Sequence, residues 1–112
     1  MENEQLTLMK KVGATMIVDS IIPLCEIFKI GKTGQPIDDR FDNSDYPKHF
    51  DRITEVFRGD KKEVDDMESY LIDYYKNNPK CVNGKDGGAS NNDPMKPNAK
   101  IYYVYVVWKA IK

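Results

Sequence analysis

The sequence predicts a small α+β domain in which a sheet of about three strands is flanked by helices. Its length of 112 residues is close to the commonest domain size. Residues 62–77 carry apolar side chains three and four positions apart, the spacing that gives a helix one buried face. Residues 101–108 are rich in β-branched and aromatic side chains, and their apolar character on both faces predicts a central strand covered on each side.

The N-terminal segment predicts a helix over residues 4–20. Its apolar side chains recur at steps of three and four, which places Met9, Val12 and Met16 on one stripe. Pro23 closes the segment, because proline does not continue a helix. One interpretation of this stripe is dimerisation, which would make the chain a structural interaction protein that forms a homodimer or binds another protein.

Glycine and proline divide the rest of the chain into shorter elements. A strand over 24–30 is expected to end in a loop that begins at Gly31, and the segment 43–47 is expected to break a short helical turn over 37–41. A second strand is predicted over 53–57 and a loop over 83–97. We expect a single domain over residues 1–112, which divides into an N-terminal helix (1–23), a core (24–88) and a loop with the C-terminal strand (89–112).

The charge balance limits the classes of function. The 17 basic and 18 acidic residues give a net charge of −1, which excludes nucleic-acid binding by bulk positive charge. The two cysteines are expected to be free buried thiols, and with a single histidine they are too few for a structural zinc site. Since no apolar run approaches the ~20 residues that cross a bilayer, we expect a cytoplasmic protein without membrane contact.

Four short motifs follow one another in an order typical of one family. Residues 27–33 read Ile-Phe-Lys-Ile-Gly-Lys-Thr and are followed by Arg40. Glu68 lies on the predicted long helix, and Asn83 with the paired glycines at 87–88 comes after it. In this order the motifs resemble those of GIY-YIG nucleases, and the resemblance covers residues 25–88.

The resemblance implies hydrolysis of DNA with Mg²⁺ or Mn²⁺ as the cofactor. Glu68 stands where the family has its metal ligand, and Arg40 where it has the arginine that holds the scissile phosphate, which suits a planar guanidinium. Lys29 and Lys32 are candidate contacts to the substrate. Asn83 is grouped with these contacts, although the resemblance gives it the role of fixing the region of Glu68.

The first motif of the family is degenerate in this chain. The aligned segment, residues 12–16, holds no tyrosine, and Lys29 replaces the tyrosine of the second motif. Either the C-terminal strand supplies the missing tyrosine, from among Tyr102, Tyr103 and Tyr105, or the fold binds a ligand without cutting it. The candidate bases are then Tyr46, His49 and the C-terminal tyrosines. Among these tyrosines, Tyr103 is also a further candidate contact to the substrate.

Two classes of function therefore stay open. The first is a stand-alone endonuclease-like domain of low intrinsic sequence specificity, which suits the small accessory nucleases of phage and viral genomes. The second is a catalytically inactive binding module for nucleic acid, a nucleotide or a protein that it inhibits. The missing tyrosine and the net charge of −1 favour the second class.

Overall fold

The computed structural model describes residues 7–84 and 99–112 and has the predicted α+β architecture, with helices flanking a three-stranded antiparallel sheet. The elements in chain order are α1 (Leu8–Ile21), a 3-10 turn (Ile22–Leu24), β1 (Cys25–Thr33), α2 (Ile37–Asp42), α3 (Tyr46–His49), β2 (Arg52–Gly59), α4 (Lys61–Tyr75) and β3 (Tyr102–Ala110).

The C-terminal strand is the centre of the sheet. The strand order is β1-β3-β2, and β3 pairs antiparallel with both neighbours. Residue 105 on β3 faces residue 31 on β1 and residue 55 on β2. This confirms the prediction that residues 101–108 form a central strand.

Alternation along β3 divides the core between the two faces of the sheet. Val104 and Val106 join a larger cluster with buried residues of α1 and α4. Tyr105 and Val107 join a smaller cluster on the opposite face with Tyr46 from α3. The strand is therefore covered on both sides, as its composition predicted.

The helix α4 begins with a capping box. The side chain of Asp60 accepts a hydrogen bond from the backbone N–H of Glu63, and the Glu63 carboxylate accepts one from the backbone N–H of Asp60. The buried face of the helix then consists of Val64, Met67, Leu71 and Tyr75. This confirms the predicted amphipathic helix, which begins at residue 61 and ends at residue 75.

The buried side of α1 is not its stripe of large apolar residues. Met9 and Met16 are 83% and 66% exposed, whereas Ala14, Thr15 and Val18 are buried. The small side chains let the helix pack closely, and the hydroxyl of Tyr75 donates to the Thr15 carbonyl at 3.2 Å. Sequence periodicity identified the helix but selected the wrong face, because two large methionines lie on the exposed side.

The structure corrects one local prediction about glycine and shortens another that involves proline. The loop expected from Gly31 is part of β1, which pairs with β3 as far as Thr33. The break expected over 43–47 does end the predicted helical turn, since α2 stops at Asp42, but it is shorter than expected because α3 begins at Tyr46. Pro47 lies in the first turn of α3, where a helix needs no N–H from that residue.

Three further predictions concern single features. Cys25 and Cys81 are both buried, as expected. Among residues 7–84 and 99–112, no helix is both long enough and apolar enough to span a bilayer. The loop predicted over 83–97 lies outside the described residues apart from its first two positions, and so do the paired glycines at 87–88.

Candidate active site

The side chains of the motif at residues 27–33, which lies on β1, project from both faces of the sheet. Lys29 and Gly31 lie two residues apart on the face that α2 and α3 cover. Lys32 lies on the opposite face, where it contacts Asp65 of α4. Lys29 is only 1% exposed, so the strand buries a lysine where the resemblance places a tyrosine of the family.

Gly31 lies directly under a tyrosine from the other end of the chain. Its partner in the sheet is Tyr105, and a Cβ atom built on Gly31 would lie 2.5 Å from the Tyr105 hydroxyl oxygen and 2.6 Å from the adjoining ring carbon. A side chain at position 31 would overlap this ring. The glycine thus makes room for Tyr105 against β1.

We expect Gly31→Ala to destabilise the fold by about 1 to 3 kcal/mol, because overpacking a filled site has this cost. The matched control is Gly13→Ala in α1, where a Cβ atom meets nothing within 4 Å. There the same change should stabilise the protein by about 0.5 to 1 kcal/mol, since alanine favours a helix. Urea unfolding of both variants measures the difference, and equal shifts would contradict the close packing of Tyr105.

Two tyrosine hydroxyls meet beside this glycine. The hydroxyl oxygens of Tyr46 and Tyr105 lie 2.8 Å apart, within hydrogen-bond distance, and their rings pack edge to face with centroids 5.9 Å apart. Tyr46 comes from the first turn of α3 and Tyr105 from the centre of the sheet. Both side chains are buried, at 2% and 1% exposure.

Two cations lie against the ring of Tyr46. The Arg40 guanidinium carbon is 4.9 Å from the ring centroid, and the Lys29 ammonium is 5.4 Å from it. Burial lowers the pKa of Lys29, the charge of Arg40 lowers it further, and the carboxylate of Glu68 opposes both. Of the residues selected from the sequence, the structure therefore brings together Lys29, Arg40 and Tyr46.

Glu68 lies on α4, where it is paired with Lys32. The Lys32 ammonium is 3.5 Å from the Glu68 carboxylate and donates to Asp65 at 2.8 Å. Burial raises the pKa of Glu68, against the opposing charge of Lys32. Burial also lowers the pKa of Lys32, but its hydrogen bond to Asp65 and the charge of Glu68 outweigh this effect and raise that pKa overall.

Asn83 pairs with the outer edge of β1, where the backbone of Phe28 already bonds to Lys80 and Val82. Its side-chain oxygen accepts from the Ile30 backbone N–H at 2.8 Å, and its side-chain nitrogen donates to the Ile30 carbonyl at 2.8 Å. These two bonds reproduce the pairing of a neighbouring strand. Asn83 therefore fixes the edge that carries Lys29 and Lys32, which is a positional role.

His49 and Tyr103 lie beside this group. His49 is exposed at the end of α3, with its ring centroid 6.5 Å from that of Phe50. Tyr103 is half-buried on β3, and the guanidinium carbon of Arg58 lies 5.4 Å from its ring centroid. Of the three C-terminal tyrosines, all of which the sequence offers as candidate bases, Tyr105 is the one whose hydroxyl meets that of Tyr46.

Mg²⁺ and Mn²⁺ prefer oxygen ligands, and Glu68 offers them a carboxylate. Within the described ranges 7–84 and 99–112, no group of three or more histidine, cysteine, aspartate or glutamate side chains could form a complete cage. Mg²⁺ is commonly held by one or two carboxylates together with water and substrate phosphate. The carboxylates of Glu68 and Asp65 converge on one cation, the Lys32 ammonium, so the residues fit a metal that is bound together with substrate.

The fold and the site define an α+β domain whose C-terminal strand lies between two earlier strands and brings a tyrosine to a lysine-glycine motif. Comparison with protein-family models, with curated proteins and with solved structures gives no match.

Proposed function

We propose that this chain is an endonuclease-like domain of the GIY-YIG type that hydrolyses DNA phosphodiester bonds with Mg²⁺ or Mn²⁺. The observation that carries the proposal is the position of Tyr105. It lies opposite Gly31, with its hydroxyl 2.8 Å from that of Tyr46, in the group that Arg40 and Lys29 join. The C-terminal strand would thereby supply the tyrosine that residues 12–16 lack.

The cations and the tyrosines would have different roles in the reaction. Phosphodiester hydrolysis needs an activated water and positive charge on the phosphate that it attacks. The planar guanidinium of Arg40 suits phosphate oxygens, and Lys29 adds positive charge at the same tyrosine. One tyrosine of the pair, acting as the phenolate, would take the proton of the attacking water and become neutral, while the hydroxyl of the other would donate a hydrogen bond to that phenolate oxygen.

Glu68 would hold the metal with one carboxylate oxygen. A bound Mg²⁺ or Mn²⁺ supplies Lewis-acid stabilisation of the charge that develops on the phosphate oxygens. The position of Glu68 supports this role, because Lys32 lies 3.5 Å from its carboxylate and Lys29 is close enough to interact with it electrostatically. Lys32 would add a contact to the substrate backbone.

DNA is the proposed substrate because the site groups cations around one carboxylate while the whole chain stays near neutral. Contact with one phosphate would come from Arg40 and Lys29, which both lie against Tyr46, while Lys32 on the opposite face of the sheet would contact another part of the backbone. The net charge of −1 argues against binding along a long stretch of DNA. Low sequence specificity is expected of so small a domain. We place the protein in the cytoplasm.

Cleavage assays on supercoiled plasmid, linear duplex and branched DNA test this function. With Mg²⁺ or Mn²⁺ the purified full chain should nick or cut at least one of these substrates, and a metal chelator should stop the reaction. Intact DNA in all three assays, with Glu68→Ala indistinguishable from the wild type, would overturn the proposal.

A second candidate is an inactive binding module, and two observations favour it. The hydroxyl-bearing side chains of Tyr46 and Tyr105 are almost fully buried, and the carboxylate of Glu68 already has a cation beside it. A salt-sensitive gel shift without cleavage would support nucleic-acid binding. No shift would point to a nucleotide or a protein partner, including a second copy of the chain.

A further inference from the structure

Lys32 lies between two carboxylates of one helix. Its ammonium donates to Asp65 Oδ1 at 2.8 Å and lies 3.5 Å from Glu68 Oε1. Asp65 and Glu68 are three residues apart on α4, so their side chains are neighbours on the helix surface. A single cation from β1 therefore already lies at the carboxylate that a metal would use.

The two carboxylates differ in their surroundings. The side chain of Glu68 is 16% exposed and that of Asp65 is 33% exposed, so the charge of Glu68 is the less screened by water. Asp65 also accepts from Lys61 at 3.0 Å on its outer side. The shorter bond to Asp65 anchors Lys32, and it decides how close the ammonium comes to Glu68.

We propose that the Lys32 ammonium occupies the Glu68 site in the free protein and competes there with a divalent metal. Its hydrogen bond to Asp65 keeps the ammonium beside the site. The proposal rests on the proposed function, because it takes Glu68 as a metal ligand. A dication at Glu68 repels the ammonium, which must then leave Glu68 and either keep only its bond to Asp65 or move onto a substrate phosphate. Metal affinity is therefore low in the free protein and rises when DNA offers Lys32 another anion.

Binding of Mn²⁺ to the full chain without DNA tests this, with free Mn²⁺ followed by electron paramagnetic resonance at constant ionic strength. Lys32→Met should tighten Mn²⁺ binding about tenfold, since one nearby positive charge is removed. The matched control is Lys62→Met, because Lys62 pairs with Asp66 at 3.1 Å on the same helix and away from Glu68. Equal affinity of the two variants would overturn the proposal.

The role of Asp65 is measured by a double-mutant cycle. Asp65→Asn should weaken Mn²⁺ binding in the wild type, because it frees Lys32 to pair with Glu68. In the Lys32→Met background the same change should cost clearly less, since only the direct loss of one negative charge remains. Equal costs in the two backgrounds would show that Asp65 does not act through Lys32.

Glu68→Gln separates this inference from the proposed function. If Glu68→Gln abolishes Mn²⁺ binding but Lys32→Met behaves like Lys62→Met, the competition is wrong and the metal site stands. If Mn²⁺ binds equally well with and without Glu68, the metal role of Glu68 is wrong and the competition falls with it. No binding by either the wild type or Lys32→Met also overturns the competition, whereas binding by Lys32→Met alone supports it strongly.

Discussion

Tyr105→Phe should lower the rate of DNA cleavage by about 10² to 10⁴, the usual contribution of a positioned acid–base group. Phenylalanine keeps the ring that packs over Gly31 and removes only the hydroxyl that lies 2.8 Å from that of Tyr46. Single-turnover cleavage of plasmid DNA in Mg²⁺ measures the effect. Since deleting one hydrogen bond costs about 1 kcal/mol of stability, the comparison is made well below the melting temperature.

Tyr103→Phe is the matched control for this change. It removes the same group from the same strand, two residues away, where the ring lies near Arg58 rather than near Tyr46. We expect cleavage to stay within about twofold of the wild type, since the half-buried ring of Tyr103 lies by Arg58 and its hydroxyl does not belong to the Tyr46–Tyr105 pair. A large loss in Tyr103→Phe with normal activity in Tyr105→Phe would exchange the roles of the two residues.

The two hydroxyls are expected to act as a unit. Tyr46→Phe should reduce cleavage about as much as Tyr105→Phe, and the double variant should be little worse than either single variant, because groups that work together show strongly non-additive losses. Multiplicative losses would mean that the hydroxyls contribute separately. Normal cleavage by both single variants would remove the tyrosine pair from the mechanism.

Most of the fold could be predicted from the sequence because its signals are local. The amphipathic spacing of α4 predicts a helix and the composition of β3 predicts a strand, and each signal lies within one segment of the chain. The packing of α1 could not be predicted in the same way. Periodicity selects the large apolar side chains as the buried face of the helix. In the folded protein Ala14 and Thr15 are buried instead, and Met9 and Met16 are exposed.

The candidate site was predictable only in part, for the same reason. Arg40 and Lys29 lie close together in the sequence and belong to the same motif, so both could be selected as site residues from the sequence. Tyr105 joins them through the pairing of β3 with β1, which depends on strand order and register between distant segments. A glycine inside a strand often marks a close approach of another group, so Gly31 was the one local signal of this contact.

The charge balance of the site depends on Glu68. Lys29 and Lys32 both lie close enough to favour its ionised form, while burial acts against that form and raises its pKa. Arg40 adds a further positive charge, which acts on Lys29 and lowers its pKa. Neutralising Glu68 would therefore leave a group of cations suited to a phosphate, with the proposed metal ligand removed.

Glu68→Gln should accordingly abolish cleavage, by at least about 10³-fold, since loss of metal-based charge stabilisation removes several kcal/mol from the transition state. The same variant should bind DNA as tightly as the wild type or more tightly, because one negative charge among the cations is gone. It should also fold normally, since burial already disfavours the ionised carboxylate that glutamine replaces. Cleavage assays, gel shifts at two salt concentrations and thermal unfolding measure the three effects.

The matched control is Asp66→Asn, which removes one negative charge from the exposed side of the same helix, where Asp66 pairs with Lys62 at 3.1 Å. It should leave cleavage unchanged, because surface ion pairs contribute little and this one lies away from Glu68. The combination of tight DNA binding and lost cleavage in Glu68→Gln alone distinguishes a nuclease from a binding module. A module that never cuts would show the change in binding without any change in cleavage, and an unfolded variant would show neither binding nor a cooperative transition.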